Sequence, residues 1–196
     1  MKITNIPCVI LAGGKSSRMQ RDKSLLPFKG YDTLIQYQFE KLSKLFSKVY
    51  ISAKKKNSSF EAEYIYDKTE TISSPMLALQ SILKQIDKQK VFIIPVDVPF
   101  IHTQTIKDLI NKSKNYTATI AKDDISSHYL CGVYNKNILS LVEKLIENDI
   151  HKVRYLIKNS DSSLELEFFD KKQFLNLNTI SDYNRAVSIS KNYRLH

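Results

Sequence analysis

Two adjacent glycines head a cluster of cations. Gly13-Gly14 is followed by Lys15, Arg18, Arg21, Lys23 and Lys29, so five basic side chains fall within 15 positions. A glycine pair lets backbone N–H groups approach an anion with no Cβ in the way. Basic side chains beside such a bend would neutralise a polyphosphate, whose charge otherwise repels an anionic nucleophile. The whole chain has only 4 glycines, so two side by side are an informative placement. Gly14-Lys15-Ser16 copies the end of a Walker loop, but Val9 stands where that loop requires its first glycine. The dinucleotide-binding fingerprint fails too, for want of later glycines.

A second constellation is Ile94-Pro95-Val96-Asp97-Val98-Pro99-Phe100. One carboxylate leaves an apolar run between two stiffening prolines. Hard carboxylate oxygens suit Mg²⁺, which keeps several waters while bridging to phosphate. A third is Phe174-Leu175-Asn176-Leu177-Asn178-Thr179, where alternation in an extended segment points Asn176 and Asn178 to one side. His128 is a weaker candidate for a ligand-lining position. His102, His151 and His196 show no ligand spacing, and no Ser/His/Asp or Cys/His nucleophile set is evident. Cys8 and Cys131 lie in apolar strand-like runs and read as buried free thiols; two cysteines exclude a disulfide framework or a zinc-cysteine site.

These groups need elements to position them. Ile6–Ala12 is a continuous apolar run suited to a strand buried on both faces. Ile35, Phe39, Leu42 and Phe46 form one helical stripe within Asp32–Phe46. Lys48–Ala53, Glu63–Tyr66 and Val91–Val96 read as strands, and Pro75 as the first-turn proline of a helix. Thr103–Ser113, Asn137–Glu147 and His151–Ile157 read as helices. Tyr116–Ala121, Leu130–Tyr134 and Leu164–Phe169 read as strands, and Ser181–Ser190 as a closing helix capped by Ser181. Strands alternating with helices predict an α/β fold: a three-layer Rossmann-like sheet, mainly parallel with an antiparallel strand, and helices on both faces. Ligands of such sheets sit at the strand C-termini, so the loops after Ala12, Ala53, Tyr66 and Val96 are the informative ones.

The chain has 196 residues, 42% of them hydrophobic, which fits one domain spanning 1–196. A charged fraction of 26% and a mean hydropathy of −0.30 exclude a disordered or membrane-embedded chain. Met1–Ala12 has neither the long apolar stretch nor the cleavage site of a signal peptide, so a cytoplasmic location is expected. The net charge of +10 raises a nucleic-acid partner, but the lysines are dispersed apart from Lys54-Lys55-Lys56 and no nucleic-acid motif is present. A solvated basic surface that gathers anionic small molecules is the plainer reading.

The first loop, Leu11-Ala12-Gly13-Gly14-Lys15-Ser16-Ser17-Arg18-Met19-Gln20-Arg21-Asp22-Lys23-Ser24-Leu25-Leu26, closely resembles the LAGGxxxRM-x-x-DK-x-LL signature of Rossmann-like nucleotidyltransferases. Within these it is most similar to the molybdenum cofactor guanylyltransferase family, and the likeness extends from Ile6 to about Ala186. The resemblance implies transfer of GMP from GTP to the phosphate of Mo-molybdopterin, with pyrophosphate leaving and Mg²⁺ as cofactor. It implies catalytic roles for Arg18, Lys23 and Asp97, with Asp97 also holding the metal. It places the nucleotide on Leu11, Ala12, Gly13, Gly14, Lys23, Ser52, Asp67 and Asp97, and the acceptor near Asn176, Asn178 and His128. Molybdoenzymes or their chaperones would be further partners; nucleic acid and membrane would not. Gln20, Ser74 and Ala78 replace family glycines, Ile180 a proline, and Ser52 an asparagine. A cytidylyltransferase for the same cofactor is an alternative, although that subgroup carries alanine in place of Gly13. Another small-phosphate nucleotidyltransferase and a non-catalytic nucleotide- or RNA-binding protein also stay open.

Overall fold

The computed structural model describes residues 2–13, 22–56, 58–66 and 74–192. Among these residues seven strands form one sheet in the order β3-β2-β1-β4-β6-β5-β7. They are β1 (Cys8–Leu11), β2 (Val49–Ala53), β3 (Glu63–Tyr66), β4 (Lys90–Pro95), β5 (Ala118–Lys122), β6 (Ser127–Asn135) and β7 (Ser163–Glu167). β6 is antiparallel to both of its neighbours, β4 and β5, and all other pairings are parallel. The expected mainly parallel sheet with a reversed strand is therefore present. The C-terminal ends of β1, β2, β4 and β5 and the start of β6 meet along one edge.

Among the described residues six α-helices cover the two faces: α1 (Leu34–Ser43), α2 (Pro75–Gln85), α3 (Thr103–Lys112), α4 (Leu139–Glu147), α5 (Val153–Lys158) and α6 (Ile180–Asn192). Strand alternation divides the core between them. Cys8, Ile10, Phe92 and Ile94 face α1 and α3, together with Ala186 of α6. Val9, Val91, Ile93 and Ile120 face α2, α4 and α5. Both thiols are free and buried, and burial pushes Cys131 up to about 12. Neither is poised for thiolate chemistry.

Helix starts follow side-chain chemistry. Thr33 caps α1 by accepting from the Gln36 N–H at 3.2 Å, so the helix begins two residues after the expected start at Asp32. Ser74 caps α2 through the Met76 N–H, with Pro75 in the first turn. Ser181 is not the cap of α6. Thr179 Oγ1 accepts from the Asp182 N–H at 3.1 Å, while the Asp182 carboxylate accepts from the Thr179 N–H at 2.9 Å. Such reciprocal capping satisfies two backbone donors at once, which Ser181 could not do from inside the helix.

The main departure from the expected strands lies in β6, which is longer than Leu130–Tyr134. Its register with β5 breaks between Ile120 and Ala121: Gly132 faces Ile120, but His128 faces Ala121. The intervening β6 residues bulge, and a bulge re-aims the strand beside it. At Gly132 the two backbones are so close that a Cβ would overlap the Thr119 carbonyl oxygen and lie 2.8 Å from the Ile120 Cα. Glycine is required there for space. Gly132→Ala should therefore destabilise the fold by about 1–3 kcal/mol, the usual cost of overpacking, read as a lower urea midpoint with unchanged m-value.

Candidate active site

The edge where the strands end is built from segments far apart in sequence. After β1, the Ala12 N–H donates to the Ser52 carbonyl at 2.9 Å and the Leu11 carbonyl accepts from the Val96 N–H at 3.0 Å. These bonds place Leu11, Ala12 and Gly13 beside the segment that carries Asp97. Asp22 then shapes the next turn. Its carboxylate accepts from the Ser24 N–H at 3.0 Å and from Ser24 Oγ at 2.7 Å, starting a short 3-10 turn over Lys23–Leu25. The turn projects Lys23 into the edge.

Lys23 Nζ forms an ion pair with the Asp97 carboxylate and donates to Asn178 Oδ1 at 3.3 Å. The Lys23 and Asp97 side chains are 20% and 13% exposed, so the pair is largely shielded yet reachable from solvent. Asp97, His128, Asn176 and Asn178 line one cleft of about 380 Å³. The two asparagines share it because Leu177 between them is buried and its N–H is bonded to the Asp97 carbonyl at 3.0 Å. Ser52 is elsewhere in kind: its side chain is buried within β2, and its carbonyl holds Ala12 in place. Gly14, Arg18 and Asp67, the remaining expected site residues, lie outside the described residues.

His128 is held more firmly than its sequence context suggests. Its ring stacks on Phe174 with centroids 4.1 Å apart, and Nε2 lies 3.0 Å from Asp123 Oδ2. Burial acts to raise the Asp123 carboxyl. The Ile125 and Ser126 N–H groups, each at 2.8 Å, and His128 outweigh it and hold the acid below its ordinary value. Asp123 was not among the expected site residues. Its signal was an Asp-Asp-Ile-Ser turn five residues ahead of a histidine, legible only once the two strands are known to pair across it.

Lys29, counted among the loop cations, turns instead over the rings of Tyr37 and Phe100, with Nζ 5.7 and 5.6 Å from their centroids. His151 lies between Asp149 and Ser74 Oγ, each at 3.1 Å. Ser74 is committed there as the cap of α2, so the row secures a helix start.

The arrangement suits binding of a dense anion. One ammonium, one carboxylate and two amides converge on a shallow cleft beside a glycine-bearing strand end. Among the described residues no group of three or more His, Cys, Asp or Glu side chains could hold a metal by itself. Asp97 is a single hard donor, which fits an ion whose other positions are filled by phosphate oxygens and water, as Mg²⁺ prefers.

The family model described as "MobA-like NTP transferase domain" matches residues 8–164. A molybdenum cofactor guanylyltransferase of Helicobacter pylori 26695 is 38% identical over 194 residues, covering 96% of this chain and 95% of that protein. One from Campylobacter jejuni 81116 is 38% identical over 190 residues, covering 96% and 98%. Among solved structures, the molybdopterin-guanine dinucleotide biosynthesis protein A of Archaeoglobus fulgidus superposes with a TM-score of 0.81 at 22% identity, over 96% of this chain and all of that one. A protein of Aquifex aeolicus VF5 gives 0.75 at 30% identity, over 88% and 93%.

The Asp123 carboxylate contributes stability that is present above its ordinary value near 3.8 and lost as pH falls through its depressed value. Asp123→Asn should therefore show a shallower loss of stability below about pH 4 than the wild type in acid denaturation followed by circular dichroism. At pH 7 it should be less stable by about 1–3 kcal/mol, because the Ile125 and Ser126 N–H groups and His128 lose a charged acceptor.

Proposed function

The chain belongs to the MobA-like NTP transferase family, and from that premise we propose that this nucleotidyltransferase is a molybdenum cofactor guanylyltransferase that joins GMP from GTP to the terminal phosphate of Mo-molybdopterin. The observation that carries the assignment of roles is the Lys23–Asp97 pair at the mouth of a cleft that also holds Asn176, Asn178 and His128. Full-length similarity to guanylyltransferases supports the choice of reaction.

The reaction is an in-line displacement at the α-phosphorus of GTP. A phosphate oxygen of the acceptor forms the new P–O bond as pyrophosphate leaves with the electron pair of the broken one. An ionised phosphate is already nucleophilic, so no general base is required, and the absence of a role for any serine or cysteine nucleophile follows. Catalysis reduces to holding two polyanions in line and offsetting their repulsion.

Lys23 is suited to this offset. Its ammonium sits between the Asp97 carboxylate and the Asn178 amide oxygen, held by the short turn that Asp22 initiates. The backbone at Leu11, Ala12 and Gly13, continued by Gly14, would receive the nucleotide, and Arg18 would add a second cation. Asp67 and the Ser52 region would face the nucleoside end. Asn176, Asn178 and His128 would orient the acceptor, with Phe174 and Asp123 keeping the imidazole in one plane. Asp97 would hold Mg²⁺, which when bound supplies further neutralisation of phosphate charge. Recipient molybdoenzymes or their chaperones would take up the product. No described helix is long and apolar enough to cross a membrane, in keeping with work on small-molecule substrates in the cytoplasm.

Pyrophosphate release should require GTP, Mg²⁺ and molybdopterin together, with CTP and ATP giving much lower turnover. A preference for CTP would overturn the guanylyl assignment. Lys23→Ala and Asp97→Ala should each retain the wild-type circular dichroism spectrum while lowering turnover about a hundredfold or more, the effect of losing one preorganised electrostatic group. Full Mg²⁺-dependent activity in Asp97→Ala would remove Asp97 from the reaction.

A further inference from the structure

Asp97 stands on a segment with no regular secondary structure of its own. Between the end of β4 and the start of α3, residues 96–102 form neither helix nor strand. Two prolines, Pro95 and Pro99, further reduce the donors available nearby. Buried carbonyls in such a segment must find partners elsewhere. Here the partners are two side chains of one helix.

Gln38 and Lys41 lie three residues apart on α1, hence on the same helical face. Gln38 is fully buried, and its Nε2 donates to the Val98 carbonyl at 3.0 Å and the Val96 carbonyl at 3.4 Å. Lys41 Nζ donates to the Ile101 carbonyl at 2.7 Å and the Pro99 carbonyl at 2.9 Å. The Asp97 carbonyl itself accepts from the Leu177 N–H. From Val96 through Pro99, then, every backbone carbonyl is held from outside the segment, and three of the four by α1. Neither side chain reaches the cleft that Asp97 lines.

The pattern is costly for a mere filler of space. Gln38 Oε1 is buried without a hydrogen-bond partner among the described residues, so the amide is committed to donating. Among the described residues Lys41 pairs with no carboxylate, and burial together with the nearby Lys29 charge lowers its pKa to about 7. A leucine and a methionine would pack this face of α1 at less cost in desolvation. What they could not do is grip four carbonyls on both sides of one carboxylate.

We infer that Gln38 and Lys41 are positioning residues for the nucleotidyl transfer, fixing the 96–101 backbone and with it the direction of the Asp97 carboxylate. They act through Asp97 and touch no substrate. The inference rests on the reading of Asp97 as the metal- and phosphate-side carboxylate. In-line displacement is sensitive to such placement, since a shift of about 1 Å at a reacting group can cost on the order of a hundredfold.

The test uses Lys41→Met, Gln38→Met and Gln38→Glu in the full chain. Gln38→Glu keeps shape while turning a donor into an acceptor facing two carbonyls. Three measurements are made: guanylyl transfer at saturating GTP and acceptor, scaled to folded protein by thermal melting; KM for GTP; and Mg²⁺-dependent GTP binding by calorimetry without acceptor, which involves no turnover. We expect kcat to fall by about tenfold or more, KM for GTP to stay within about threefold, and the Mg²⁺ midpoint in the binding experiment to rise by about fivefold or more. Should Lys41→Met fail to fold, the two Gln38 variants carry the same reading. A lowered melting temperature with wild-type kcat and an unmoved Mg²⁺ midpoint would reduce the pair to a structural role and overturn the inference. If the wild type shows no guanylyl transfer at all, the reaction assignment fails instead, and the Mg²⁺ midpoint for nucleotide binding still reports on Gln38 and Lys41.

Discussion

The molecule is organised around an ion pair between residues 74 positions apart, Lys23 and Asp97. Neither partner has a local reason to find the other. Lys23 is delivered by a short turn that Asp22 starts, and Asp97 by the strand at the centre of the sheet. Because β1 and β4 are parallel neighbours with Leu11 opposite Pro95, the loops that follow them emerge side by side. The C-terminal segment adds Asn178 to the same cation across 155 positions. In the proposed reaction this pairing has a use beyond stability: a carboxylate and an ammonium that neutralise each other in the free protein are a site already shaped for a metal and a polyphosphate.

The reversed strand β6 sets the other half of the cleft. A wholly parallel sheet would bring only strand C-termini to the edge. Running β6 backwards brings its start there, and the bulge opposite Ala121 turns His128 toward Phe174 and Asp123. Gly132 pins this geometry from within, since any side chain there would push β5 and β6 apart. Ser74 and Ala78 fall on α2 and its cap, where a side chain serves the helix: Ser74 accepts from the Met76 N–H.

Several polar side chains are buried, among them Gln38, Thr105, Thr119 and Gln173. Gln38 and the amine of Lys41 are turned to the irregular segment that carries Asp97. Each of the two donors bridges a pair of carbonyls and so restrains the segment, while Gln38 Oε1 is left without a partner among the described residues. A lysine whose pKa burial draws down to about 7 bears a real desolvation cost, and its location under the proposed reaction centre makes that cost intelligible.

Much of this protein was legible in its residues taken one after another. Lys23 and Asp97 were both marked in the sequence as site residues, the one in a cationic loop and the other between two prolines at a strand end, and the structure pairs them. The alternation of Leu and Asn at 175–178 announced two amides on one side. Periodicity located the seven strands and six α-helices of the described residues to within a few residues, because apolar spacing is imposed by burial on one face or two. Other features were decided by the tertiary structure alone. Thr179, not Ser181, caps α6 because the reciprocal bond with Asp182 outcompetes a lone serine. Asp123 matters because a hairpin folds it against His128. Gln38 lies beside the apolar stripe of α1 and gave no signal in the sequence; its role required knowing that the Val96 and Val98 carbonyls lie opposite. The difference has one physical source. Local sequence carries the preferences of a backbone and of a water-avoiding face, whereas a buried polar group is defined by its partner, and partners here come from across the chain.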